Sequence, residues 1–416
     1  DGLSMEQAVA IALQKNRDVI AAKMQIEEAE LDLVAARIYP NPILQVGVGN
    51  LVLGSANNQM TTPPTQAGFF GQPVESVGVG EIIDVWAKRS AHIQAADRGV
   101  AQRRLQTEDA LREVVYAVRS GFADAVRAES ERDMAKDVAA RYAETVRLSQ
   151  ARFRAGDIAE SELRKIELEG LRYENAVVDG ELQADIARQH LAALLGMGPD
   201  EPLPGGRLID PDTRPTFDVQ RLTTDALAHR PDLRAATAAH AAGEARLGAA
   251  QRDAYPDLTL GATYTHSSFT ISGDNPNVLG LNLSLPLPLF DRNQANVGRA
   301  RLDIRQADND TLRLRLAVEN DVAQAVRKAE RSQKLLAIFE RPGTGATASA
   351  TSDPGGMLAR AETAVKVAEK SYKVGASSLL DLLDAQRTYL DTRAQFLHAR
   401  QDFRQAAIDV AHAVGE

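Results

Sequence analysis

The same order of segments occurs twice in this chain. Residues 4 to 196 run through a helix, two short alternating segments, a very long helix, a glycine turn and a further helix, and residues 220 to 415 run through that order again. The junctions return as residues: Tyr39-Pro40 as Tyr255-Pro256, Ile83-Asp84 as Phe290-Asp291, and Phe153-x-x-Gly156 as Tyr372-x-x-Gly375. Self-similarity of this kind restricts the chain to an architecture assembled from two like units. The expected division is a first repeat over 1–197, an irregular connection over 198–219 and a second repeat over 220–416.

Helix length is the next constraint. No proline lies between Pro73 and Pro199, and residues from about Val85 to Ala155 form a sustained helix-forming stretch that ends at Gly156. Some 70 residues at 1.5 Å each make a rod on the order of 105 Å, which no compact domain needs. The helices over about 4 to 38 and about 157 to 196 sum to roughly 75 residues, so two shorter helices end to end match the long one. In the second half the long helix spans Asp291 to Val374. The run from Pro342 to Gly356 cannot be helical, and residues 341–356 read as an insertion into a matching rod of a little under 70 residues. A flexible interdomain linker is the alternative reading of that stretch. Heptad spacing of Leu163, Gly170, Val177, Ala184 and Leu191, and of Leu382, Tyr389, Phe396, Phe403 and Val410, implies left-handed supercoiling against neighbours. An aromatic content of 5% suits helices packed through small side chains.

Segments 43 to 53, 74 to 83, 258 to 265 and 278 to 289 change to a period of two. Leu258, Leu260, Ala262 and Tyr264 alternate with Thr259, Gly261 and Thr263, and Leu279, Leu281, Leu283 and Leu285 alternate with Gly280, Asn282 and Ser284. These predict strands with one apolar and one small-polar face, joined by turn-rich loops over 54 to 73 and 266 to 277. Four such strands cannot close a membrane barrel, which takes about eight, so contact with lipid requires oligomerisation. Tyr39 and Tyr255 precede strands while Trp86 and Phe290 follow them, as an aromatic girdle at one membrane interface requires. A water-soluble sheet is the alternative.

These features resemble the TolC-like outer membrane factors. The resemblance rests on the duplicated order, the Tyr39 to Pro42 opening of the first strand, Leu287-Pro288-Leu289-Phe290-Asp291, and Tyr372-Lys373-Val374-Gly375 followed by Leu379-Leu380-Asp381-Leu382-Leu383-Asp384-Ala385-Gln386. It implies an α+β membrane protein: a long-helix α-barrel plus a transmembrane antiparallel β-barrel, built from four strands per protomer of a homotrimer. It further implies an outer membrane location with a long periplasmic extension, a periplasmic adaptor and an inner-membrane resistance-nodulation-division pump as partners, and passive export. The strand entry is most similar to the heavy-metal cation branch; drug efflux or type I secretion is the runner-up. A soluble coiled-coil scaffold is the reading from another class, and it leaves the leucine-faced strands unexplained.

Chemistry-bearing clusters are absent from the sequence. The seven histidines are scattered without metal-ligand spacing, there is no cysteine, and Gly47-x-Gly49 and Gly78-x-Gly80 lack the helix a phosphate loop needs. No enzyme, cofactor or metal centre is expected, and a net charge of −9 without a basic cluster excludes nucleic acid. The informative acids follow the two turns: Glu162 six residues after Gly156, Asp381 six after Gly375, and Asp384 on the same helix face as Asp381. By resemblance, Asp381, Asp384, Glu162 and Tyr372 match the periplasmic gate, while Ser377 stands where the family can carry a basic partner. Helix-start carboxylates facing solvent are the plainer alternative.

Overall fold

The structure, a computed structural model, describes residues 2–49, 74–198, 201–204, 208, 217–267, 275–340 and 355–416. The elements are α1 (Met5–Lys15), α2 (Arg17–Arg37), β1 (Ile43–Gly49), β2 (Val74–Ile83), α3 (Lys88–Ala155) and α4 (Glu160–Leu194). They continue as α5 (Val219–His229), α6 (Pro231–Arg252), β3 (Leu258–Ser267), β4 (Asn277–Ser284), α7 (Gln294–Glu340), α8 (Met357–Lys373) and α9 (Leu379–Val414). Two compact units take segments from both halves of the sequence. One comprises Asp1–Gln25, Leu105–Arg234 and Leu312–Glu416, the other Ile26–Arg104 and Ala235–Thr311. The loop expected over 54 to 73 and most of the 341–356 insertion lie outside the described residues. So do most of the 266 to 277 loop and of the inter-repeat connection.

The helix expected over about 4 to 38 is two helices, because Asn16 breaks it. Asn16 is extended (φ −62, ψ 133). Its side-chain oxygen accepts from the N–H groups of Asp18 and Val19, capping α2, and its amide donates to the Leu194 carbonyl at 2.8 Å. In the second half Arg230 (φ −56, ψ 124) separates α5 from α6, whose first residue is Pro231. The buried Arg230 guanidinium donates to the Ala413 carbonyl at 3.2 Å and to Asp232 at 2.6 Å. Each break therefore satisfies a last-turn carbonyl of α4 or α9 that has no donor within its own helix. Arg112 adds a second donor, at 3.0 Å, to the His412 carbonyl, which also accepts from the Gly415 N–H at 3.1 Å. Left-handed Gly196 (φ +75) lies against the first break so closely that a Cβ would collide with the Lys15 carbonyl, and left-handed Gly415 faces Arg230.

In the first unit, α1 packs Ala8 and Ala12 on Val118, Phe122 and Leu191. Similarly, Ala226 of α5 packs with Val318, Val322, Val326 and Ala406. Of the α9 heptad stripe, Leu382, Tyr389, Phe403 and Val410 are buried and Phe396 is half-buried. On α4, glycine permits close approach: a Cβ at Gly180 would come within 3.2 Å of the Arg132 Cα.

The second unit holds one antiparallel sheet in the order β1-β2-β3-β4. The pairs Leu44–Val79, Val79–Ala262 and Ala262–Leu281 fix the register, so like faces align across all four strands. Leu44, Val46, Val77, Val79, Leu260, Tyr264, Leu279, Leu281 and Leu283 share one exposed face, with Leu281 reaching 78%. Gln45, Ser76, Thr263, Asn282 and several glycines share the other. There a Cβ at Gly78 would meet the Thr263 hydroxyl at 2.7 Å, so this is the more crowded side. β4 ends at Ser284 rather than 289 because Pro286 and Pro288 have no N–H for a ladder. β3 runs on to Ser267, and the expected 50 to 53 end of β1 lies outside the described residues.

Candidate functional site

Two glycine turns build the helical hairpins of the first unit. Gly156 (φ +83) and Gly375 (φ +76) are both left-handed, a conformation that costs any other residue more. The N–H of Asp157 reaches back to the Arg152 carbonyl at 2.9 Å, and that of Ala376 to the Ser371 carbonyl at 2.8 Å. These are Schellman closures of α3 and α8, and each sends the chain back into a new helix.

The four expected gate residues lie in three different settings. Tyr372 is buried at the end of α8, its hydroxyl 3.4 Å from that of buried Ser149 and its ring beneath the Arg152 guanidinium at 4.9 Å. It therefore fastens α8 to the last turns of α3. Asp381 is exposed and completes a capping box. Its carboxylate accepts from the Ser378 hydroxyl at 2.8 Å and the Ser378 N–H at 3.0 Å, while its own N–H donates to the Ser378 hydroxyl at 3.2 Å. The hydroxyl bond and then the backbone bond from Ser378 hold its pKa below the ordinary carboxylate value. Asp384 is exposed one turn on, and Glu162 is half-buried in the first turn of α4, whose N-cap Ala159 supplies no side-chain bond. Ser377 has a buried hydroxyl with no partner among the described residues. A cavity of about 200 Å³ beside Tyr372 is lined by Arg141, Glu144, Leu148, Glu369, Lys373 and Leu382. The contacts of Ser149 and Arg152 with Tyr372 are long-range and leave no sequence signature, whereas Ser378-x-x-Asp381 has the spacing of a capping box.

In the second unit the expected aromatics cluster at one end of the sheet. Trp86 and Tyr255 stack with ring centres 5.0 Å apart, Tyr39 lies under the Arg89 guanidinium at 3.8 Å, and Phe290 is 91% exposed. Asp84 caps α3 by accepting from the N–H groups of Lys88 and Arg89, which allows the left-handed Ala87 (φ +56). Among the described residues, no three His, Asp or Glu side chains converge as a metal would require. No described helix is long and apolar enough to cross a membrane.

A family model of outer membrane efflux proteins matches residues 8–197, 222–350 and 356–416. The chain belongs to the outer membrane efflux protein family. The cobalt-zinc-cadmium resistance protein CzcC of Cupriavidus metallidurans is 26% identical over 419 residues, covering 99% of this chain and 90% of that protein. The pyoverdine export outer membrane protein OpmQ of Pseudomonas putida is 23% identical, over 99% and 85% of the two chains. The solved structure of CusC, a name carried by a cation efflux system protein of Escherichia coli, superposes with a TM-score of 0.76 at 18% identity, over 99% of this chain and 92% of that one. The fold is that of the TolC-like channels, and the family is one of ducts, not enzymes.

Proposed function

We propose that this chain is the outer membrane exit duct of a tripartite efflux system. Three copies would close their four-stranded sheets into one twelve-stranded barrel, with the helices forming a periplasmic tunnel. One observation carries the reading: the sheet exposes a continuous apolar face, and its edge strands β1 and β4 each have a single ladder partner among the described residues. A closed barrel of several chains pairs those edges and turns that face to lipid. A periplasmic adaptor and a resistance-nodulation-division pump supply the cargo, and opening splays the Gly156 and Gly375 hairpins when the adaptor binds the open state more tightly.

The names of CzcC and CusC support heavy-metal cations as cargo, and OpmQ supports a larger organic one. In the threefold assembly Asp381 and Asp384 would converge on the mouth, with Glu162 at the neighbouring turn and Tyr372 holding α8 to α3. Six carboxylates around a narrow pore favour cations. Planar-bilayer recording is the test. Wild-type protein is expected to conduct with cation preference, and the Asp381→Asn/Asp384→Asn variant to lose that preference. Asp384→Asn alone removes charge while leaving the capping box intact, so a change there separates charge from helix-cap effects. Unaltered conductance and selectivity in both variants overturns the gate ring, and absence of any channel overturns the duct.

A further inference from the structure

The β1 ladder begins at the Ile43–Gly80 pair, so Glu81, Ile82 and Ile83 of β2 pair only with β3 on their other side. On the β1 side they border a notch of about 610 Å³, closed by Tyr39 and Pro40 and by the first turns of α3. The notch brings together groups of both signs. Glu81 lies on the apolar face, opposite Leu260, and is exposed with no ion pair or hydrogen bond among the described residues. Lys88, its side chain 17% exposed, pairs with Asp257 at 2.6 Å, and Arg89 donates to the Arg37 carbonyl while stacking on Tyr39; the other lining acids are occupied, Asp84 by the N–H groups of Lys88 and Arg89 and Asp253 by His92 at 2.9 Å. A lone carboxylate on a lipid-facing surface is costly unless a cation meets it, and the donors of Lys88 and Arg89 suit a phosphate. Trp86 and Tyr39 mark the same level as an interface between hydrocarbon and water.

From this juxtaposition we infer that the notch is a binding site for a zwitterionic phospholipid with a primary ammonium, phosphatidylethanolamine. Glu81 takes the ammonium, Lys88 and Arg89 take the phosphate, and the acyl chains lie on the apolar face beside Ile83 and Leu260. The inference rests on the membrane-barrel reading proposed above. Phosphatidylglycerol lacks the ammonium, and phosphatidylcholine carries no N–H to donate.

The test is native mass spectrometry of the full-length protein, delipidated in detergent and titrated separately with phosphatidylethanolamine, phosphatidylglycerol, phosphatidylcholine and soluble phosphoethanolamine. Phosphatidylethanolamine is expected to bind at one per chain, about three- to fivefold more tightly than the other two lipids, as a single exposed ion pair can supply. Glu81→Gln, which disturbs no partner, is expected to abolish that preference while leaving phosphatidylglycerol binding unchanged. Equal binding of all three lipids, a preference for phosphatidylglycerol, or an unaffected Glu81→Gln variant overturns the inference alone. Binding of soluble phosphoethanolamine as tight as that of the lipid assigns the site to a soluble zwitterion and also overturns it. A protein that takes up no lipid and stays soluble without detergent overturns the barrel reading as well.

Discussion

At the scale of single residues, the helix breaks carry the most structural information. Arg230 ties the α5–α6 junction to the end of α9, and its loss leaves the Ala413 carbonyl without a donor and Asp232 with the Leu233 N–H but no cation, in a buried place. Arg230→Met should destabilise the protein by about 3 kcal/mol, read as a lowered melting temperature in detergent. Gly196→Ala should cost about 2 kcal/mol or more, because it combines a left-handed backbone with a collision on Lys15. Burial raises the Asp232 pKa, but the hydrogen bond and charge of Arg230 outweigh it, so the folded value lies below the ordinary 3.8. A depressed carboxylate contributes stability that is complete above its unfolded pKa and lost as pH falls through its folded one. Urea titrations between pH 5 and about 2.5 should therefore show an acid loss of stability that is smaller in Asp232→Asn; equal slopes would show the pair to be uncoupled from folding. The second break has a local signal in Pro231, which steers Arg230 out of the helical region, whereas helical periodicity continues across Asn16; the carbonyls that Asn16 and Arg230 serve lie 178 and 183 residues away and leave no local mark. Gly156 and Gly375 were legible because a local backbone requirement selects glycine there.

At the scale of elements, hydrophobic period decided most assignments. The leucine alternation of β4 was visible in the sequence, but its end was not. Alternation runs on to Leu289, whereas hydrogen bonding stops before Pro286 for want of an N–H. The long helices were legible from the absence of proline, and the heptad stripe of α9 correctly marked the buried Leu382, Tyr389, Phe403 and Val410. Asp381 was singled out for its charge, while its bonds to Ser378 show that it also begins α9. Ser378→Ala should weaken that first turn by about 1 kcal/mol and raise amide exchange at the start of α9 without affecting its end near Val410. Uniform exchange along α9 in both proteins would remove the cap from the account.

At the scale of the whole molecule, the sheet dictates what the chain must assemble with. Leu44, Val79, Ala262 and Leu281 form a continuous row across four strands, and water is a poor partner for that face. Leu281→Arg should impair membrane insertion, since an arginine facing lipid at mid-depth costs about 2–4 kcal/mol, whereas Asn282→Arg on the small-polar face should be tolerated. Equal insertion of both variants would assign the apolar face elsewhere. If three chains share one barrel, native mass spectrometry of the detergent-extracted protein should show a three-chain species that dissociates only under denaturing conditions. A single chain that stays soluble without detergent would contradict it.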